Sequence, residues 1–263
     1  MRLNDKTAIV IGAGQAPGEG MGNGRATVLR FAQEGARVMA VDRDLASAEA
    51  TVRMVEPGWG ECFAFEADVT REATLAAAIA AAHARWGRID ILHYNVGMSL
   101  AGGDAPLLEI SEEAFDRICA INLRGAVMAC KHVLPIMRQQ RAGAILMISS
   151  LAAIENYPYV AYKATKAAMI AFTEQVAIQN AEYGIRANAI LPGLMDTPMA
   201  VDTRVRLSGK SRAQVAAARV PLRRKMGTAW DVANAALFLA SDEANFITGV
   251  SLLVDGGGAL NFG

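Results

Sequence analysis

The feature that most constrains this chain is a rhythm. Short apolar runs, several rich in Val and Ile and without polar alternation, are separated by longer stretches of helical pattern. Strands of that kind are buried on both faces, as in parallel sheets. The runs predict strands at residues 7–12, 36–41, 61–67, 89–94, 144–149, 186–190 and 251–254. The intervening patterns predict helices at 24–34, 45–55, 71–85, 111–140, 160–183 and 229–239. Ser111 ahead of Glu112 and Glu113 reads as a helix start, a capping hydroxyl before two acids, and Thr70-Arg71-Glu72 as a weaker one. Strand and helix alternating from end to end predict an α/β fold. It should be a single domain over 1–263, a doubly wound parallel sheet of about seven strands with helices on both faces. The rhythm breaks at 196–225, which follows Pro192-Gly193 and has no strand signal. That segment reads as a lid.

Charge and apolar run length set several function classes aside. Lys plus Arg equals Asp plus Glu at 26 each. A nucleic-acid binder or a polybasic membrane-surface protein would need a basic surplus. The longest uncharged stretches, 91–103 and 142–154, have 13 residues each, short of the roughly 20 that cross a bilayer. Met1-Arg2-Leu3-Asn4-Asp5-Lys6 has no apolar signal segment, so a cytoplasmic protein is expected. Cys62, Cys119 and Cys130 are odd in number, lack CxxC spacing and read as small buried hydrophobes. His83, His93 and His132 make no zinc-like spacing with them, so no metal is expected.

Of 24 glycines, six lie between Gly12 and Gly24. They follow the first strand and open the first helix. Glycine there lets the backbone approach a pyrophosphate, and the helix N-terminus offers N–H groups and positive potential. A flexible turn would also use glycine, but the strand before, the helix after and the second strand beyond favour a dinucleotide. Asp42 ends the second strand, 18 residues after Gly24. Its carboxylate suits ribose hydroxyls and repels a 2′-phosphate. Arg43 complicates this, but no Lys or Arg occurs between Gly12 and Gly24. NAD is expected in preference to NADP. Asp68-Val69 and Asn95-Val96-Gly97 end the third and fourth strands, where ligands bind in open α/β sheets. Asp68 and Val69 are expected near the adenine, although Asp68 could equally cap a helix.

The fifth strand ends at Ser149-Ser150, and Tyr162 and Lys166 follow at i and i+4 in a helical stretch. That spacing puts phenol and amine on one helix face. A phenol titrates near ~10, and an ammonium beside it favours the phenolate. Alone, a Tyr-x-x-x-Lys pair is common on helix surfaces. With the strand-end serine and the glycine loop it becomes an acid/base candidate.

Taken together, these motifs resemble the short-chain dehydrogenase/reductase family. The resemblance covers essentially the whole chain: the glycine loop, Asp68-Val69, Asn95-Val96-Gly97, Asn122, Ser150, Tyr162 with Lys166, Pro192-Gly193 with Thr197, and the closing Thr248-Gly249 and Val254-Asp255-Gly256-Gly257. It implies a Rossmann fold, an NAD(P)-linked conversion between a secondary alcohol and a ketone, and a homotetramer. It implies a catalytic set of Asn122, Ser150, Tyr162 and Lys166. Tyr162 would move the proton, Ser150 would hydrogen-bond the same oxygen, Lys166 would lower the tyrosine pKa and hold the nicotinamide ribose, and Asn122 would fix a water linked to Lys166. Gly12, Gly22, Asn23, Gly24, Asp42, Asp68, Val69, Asn95, Gly97, Tyr162, Lys166, Pro192, Gly193 and Thr197 would hold the cofactor. Strand alternation sends Ser149 and Ser150 to opposite faces, and the family pattern favours Ser150.

Three departures stand out. Ile11 replaces the Thr that opens the family loop, and Tyr94 replaces the first Asn of Asn-Asn-Ala-Gly. Nine residues separate Gly12 from Gly22 where the family has three. A longer loop is also a feature of related enoyl reductases, but those separate Tyr and Lys more widely, so Tyr162/Lys166 speaks against that branch.

Residues just past the strand ends should line the substrate side: Met98, Ser150, Tyr159, Tyr162 and Met195, with Ser99, Leu100, Glu155, Asn156, Leu194 and Met199 around them. A mostly apolar set suits a small-molecule pocket, and Met-rich sets equally make ordinary core. The segment 196–225 carries eight basic and two acidic residues. The zero net charge is therefore a cancellation. The sharp reading is a lid that attracts an anionic hydroxy substrate, and the bland one is a solvated face or a subunit contact. A sugar-like polyol substrate and a non-catalytic nucleotide-binding regulator are the remaining alternatives, the second disfavoured by the intact catalytic set.

Overall fold

The computed structural model describes residues 1–216 and 220–260. The elements run β1 (Thr7–Ile11), α1 (Asn23–Gln33), β2 (Arg37–Asp42), α2 (Leu45–Val52), β3 (Cys62–Glu66), α3 (Glu72–Trp86), β4 (Ile91–Tyr94), α4 (Glu112–Cys119), α5 (Gly125–Gln140), β5 (Gly143–Ile148), α6 (Val160–Asn180), β6 (Ile185–Pro192), β7 (Met195–Asp196), α7 (Thr203–Ser208), α8 (Arg212–Ala216), β8 (Gly227–Thr228), α9 (Ala229–Ala240) and β9 (Ser251–Val254). The main sheet is seven-stranded and parallel in the order β3-β2-β1-β4-β5-β6-β9.

Side-chain alternation assigns each strand to two cores. Ile9 and Ile11 of β1 and Met39 and Val41 of β2 pack with α3, α5 and α6. Ala8, Val10, Val38 and Ala40 pack on the other face with α1 and α9. In the inner strands neither face reaches water, which is why those runs lack polar alternation. The order reverses between β1 and β4, and the crevice beyond the carboxyl ends of those strands is where such sheets bind ligands.

Four expectations need correction. The helix 111–140 is continuous but not uniform: a π turn at Ala120–Arg124 joins α4 to α5. The segment 196–225 holds α7 and α8, and its base is tied by a two-residue parallel pair, Met195–Asp196 with Gly227–Thr228. Ser111 does cap α4, accepting from the Ala114 N–H at 3.2 Å. Thr70 caps nothing: its N–H and hydroxyl both donate to Asp68 Oδ1, at 2.9 and 2.8 Å. Cys130 is buried, while Cys62 and Cys119 are only partly so. Among the described residues, no helix is long and apolar enough to cross a membrane, and no cluster of His, Cys, Asp and Glu could hold a metal ion.

Candidate active site

The glycine loop is built by close approach. A Cβ on Gly24 would lie 1.9 Å from the Gly12 carbonyl oxygen, and Gly12 has φ +83°. Asn95, at the end of β4, donates Nδ2–H to that same Gly12 carbonyl at 3.0 Å. The two strand ends flanking the crevice are thus pinned together. Gly22 is the N-cap of α1 and offers no side chain to its N–H groups. Asn23 Oδ1 is buried without a hydrogen-bond partner. Free N–H groups and an orphaned polar atom at a glycine-lined helix start fit the pyrophosphate of a dinucleotide.

The inserted residues form an exposed lobe closed by one side chain. Gln15 donates Nε2–H to the Gly20 carbonyl at 3.1 Å and accepts the Gly22 N–H at 2.9 Å. At the lobe's tip the Glu19 N–H donates to Asp202 of the lid segment at 2.9 Å. At its base the Gly14 N–H donates to Asp42 Oδ2 at 2.8 Å. Asp42 Oδ1 accepts the Asp44 N–H at 3.1 Å. Arg43 is exposed. Arg25, one residue past Gly24, is a base coupled to Asp42. It donates to Thr51 Oγ1 at 3.0 Å and to the Ser47 carbonyl at 3.5 Å. Burial lowers its pKa, against the attraction of Asp42.

Four candidate residues converge beyond β4 and β5. The Ser150 hydroxyl lies beside the Tyr162 phenol and favours its phenolate. Ser149 points the other way, donating to the Lys166 carbonyl at 2.7 Å. Lys166 Nζ lies 5.7 Å from the Tyr162 ring centre. It donates to the Ile148 carbonyl at 2.6 Å and the Val96 carbonyl at 3.3 Å. Gly97 leaves room there, since a Cβ would approach Lys166 Nζ to 3.3 Å. Burial pushes Tyr162 up to about 12, with the neighbouring Ser150 hydroxyl and the Arg204 charge opposing. Burial also pushes Lys166 down to about 7. Desolvation of both groups therefore outweighs the mutual stabilisation expected of the pair.

Asn122 sits in the π turn. It accepts the Met98 N–H at 2.7 Å and gives its two amide hydrogens to the Met98 carbonyl and Thr165 Oγ1, both at 3.0 Å. A π turn at a site residue is a recurrent pattern. Both amide hydrogens are thus engaged, and Oδ1 has taken one donor.

The remaining expected residues divide. Asp68 is engaged by Thr70, and Val69 is buried beneath it. Pro192 ends β6, the Gly193 N–H donates to the Val254 carbonyl at 3.0 Å, and Thr197 Oγ1 accepts the Ala200 N–H at 3.3 Å. Tyr159 stacks edge-on against Tyr157, 5.5 Å between centres. Tyr157 lies 5.6 Å from Tyr162 and is the site residue the sequence reading missed. Met195 is packed in the core under β8, against Gly227, and does not face the cleft. Of the lid bases, Arg204 acts on Glu155, Tyr157 and Tyr162. Arg206, Lys210, Arg223, Arg224 and Lys225 are exposed. Arg219 and the Arg212 side chain lie outside what the structure describes.

A family model described as enoyl-(acyl carrier protein) reductase matches residues 17–259. A 2-(R)-hydroxypropyl-CoM dehydrogenase of Xanthobacter autotrophicus is 37% identical over 95% of this chain and 97% of its own length. A 3-oxoacyl-(acyl-carrier-protein) reductase of Thermotoga maritima is 36% identical over 98% of this chain and 99% of its own. The crystal structure of a short-chain dehydrogenase/reductase from Burkholderia xenovorans superposes with TM-score 0.90 at 43% identity, covering 100% of this chain and 99% of the other. The chain belongs to the short-chain dehydrogenase/reductase family. It is an NAD(P)-dependent oxidoreductase that interconverts secondary alcohols and ketones.

Proposed function

We propose that the enzyme uses NAD in preference to NADP and that Tyr162 moves the proton. The observation that supports this is Lys166 Nζ standing 5.7 Å from the Tyr162 ring centre on the same helix face, with the Ser150 hydroxyl beside the phenol. When bound, the nicotinamide cofactor supplies or takes the hydride. In ketone reduction the phenol donates its proton to the carbonyl oxygen, and Ser150 donates a hydrogen bond to the same oxygen as its charge grows. In alcohol oxidation the proton runs back to Tyr162, so oxidation should quicken as pH rises toward the phenol's raised pKa. Lys166 supports the phenolate and binds the nicotinamide ribose. Asn122 holds the Met98 main chain and would fix a water linked to Lys166.

Gly12, Gly22, Asn23 and Gly24 would bind the pyrophosphate, Asp42 the ribose, and Asp68 and Val69 the adenine. Asn95, Gly97, Pro192, Gly193 and Thr197 would flank the nicotinamide. Met98, Tyr159 and the added Tyr157 would face the substrate, under a lid at 196–225 of one domain. A cytoplasmic homotetramer is the assembly proposed. Exposed Ile178, Phe246 and Leu253 offer it apolar surface.

The test is a reduction screen of NAD and NADP against alcohols, polyols and hydroxy acids, run with the wild type and Tyr162→Phe. Loss of at least about 100-fold in kcat is expected for the variant. Turnover close to wild type would remove Tyr162 from the reaction.

A further inference from the structure

Helix α6 carries both Tyr162 and Lys166, so whatever fixes its first turn fixes the proton donor. Its N-cap, Tyr159, makes no side-chain cap. The first N–H groups of a helix have no partners within it, and here they are satisfied from elsewhere in the chain. The Val160 N–H donates to the Ala105 carbonyl at 3.2 Å. The Ala161 N–H donates to Asp104 Oδ1 at 3.0 Å, and the N–H of Tyr162 itself to Asp104 Oδ2 at 2.9 Å. Asp104 also accepts the Ala105 N–H at 3.1 Å and the Ser99 hydroxyl at 3.0 Å. It is 6% exposed. Four donors on two oxygens fill every acceptor site of an ionised carboxylate, and an amide or a carboxylic acid would turn a donor against one of them.

The chain of contacts goes further. The Ser99 hydroxyl lies beside the Tyr157 phenol and donates to Asp104. One buried carboxylate therefore holds the main chain of Tyr162 and, through one hydroxyl, the aromatic ring packed 5.6 Å from the Tyr162 ring.

We infer that Asp104 is the positioning residue of this active site, an off-helix cap that fixes Tyr162 by its own N–H and tethers Tyr157 as the substrate-facing wall. The inference rests on Tyr162 being the proton donor. An ordinary helix cap contributes about 1 kcal/mol of stability and nothing to the chemistry. A positioning cap must also move kinetics. The charged and titratable groups acting on Tyr162 are Tyr157 and Asp104, which raise its pKa, Arg204, which lowers it, and Lys166 beside its ring. Removing the Asp104 charge should thus make the phenolate easier to form.

The experiment compares wild type, Asp104→Asn, Ser99→Ala and Tyr162→Phe, using the fastest alcohol of the panel and well below each melting temperature. For Asp104→Asn, kcat should fall about tenfold, by more than KM rises. The rising limb of the oxidation pH profile should move down by on the order of half a unit. Ser99→Ala, which spares the caps and frees Tyr157, should raise KM with kcat kept. A variant that only melts lower, with wild-type kcat and pH limb, makes Asp104 a plain cap and overturns the inference. If Asp104→Asn does not fold, Asp104→Ser takes its place, and wild-type kcat and pH limb there overturn the inference. Tyr162→Phe separates the two levels. If that variant is inactive while Asp104→Asn behaves as wild type, the Asp104 role alone fails; if it stays active, the reading beneath it fails as well.

Discussion

At the scale of single residues, Asp42 carries two duties in one carboxylate. It closes the glycine loop by accepting the Gly14 N–H, and it stands where a ribose hydroxyl or a 2′-phosphate would arrive. Asp42→Ala should raise the NADP to NAD ratio of kcat/KM by about tenfold, roughly 1.4 kcal/mol. Asp42→Asn should do so less cleanly, since an amide still accepts one N–H. Steady-state kinetics with both cofactors check this, and a wild type that already prefers NADP would reverse the assignment. Residues such as Asp42, Ser150, Tyr162 and Lys166 were legible because each sits at a strand end or a fixed helical spacing. Tyr157 and Asp104 were not. Tyr157 lies in a loop with no period to read. Asp104 acts 58 residues along the chain from Tyr162, a distance no local pattern spans. Met195 looked like a pocket residue because it follows a strand end, and tertiary packing turned it into the core.

At the scale of elements, β4 contains an anomaly. His93 lies between Val10 and Leu146 in the sheet, fully buried, with both ring nitrogens unpartnered. Phe31 meets it edge-on at 6.1 Å between ring centres. Burial pushes its pKa down to about 3. The unfolded chain takes up a proton below the ordinary value near 6.5, and the folded chain does not until far lower. Acid therefore favours unfolding across that window, while above it the group has no effect. Wild type should lose about 2 kcal/mol more than His93→Leu between pH 7.5 and 5. Denaturant melts at the two pH values read this directly, and parallel losses would refute it. The strand itself was plain from its apolar run, and its buried imidazole passed as one more member. The π turn was invisible for a related reason: a one-residue slip inside a 30-residue helical pattern leaves its hydrophobic spacing nearly intact.

At the scale of the whole molecule, the balanced charge conceals a segregated one. Among the described bases of 196–225, most face solvent, as ordinary surface does, while Arg204 acts on Tyr157 and Tyr162. Arg204→Ala should raise KM for a hydroxy acid roughly fivefold to tenfold over its effect on a neutral alcohol, the worth of about 1–1.4 kcal/mol for one charged contact. Equal effects on both would leave the substrate neutral. The same lid meets the extended glycine lobe where the Glu19 N–H reaches Asp202, 183 residues later. That hydrogen bond makes the nucleotide side and the substrate side partners in one thermodynamic cycle. If both ligands prefer the clasped arrangement, each raises the other's affinity by the same factor, whichever arrives first.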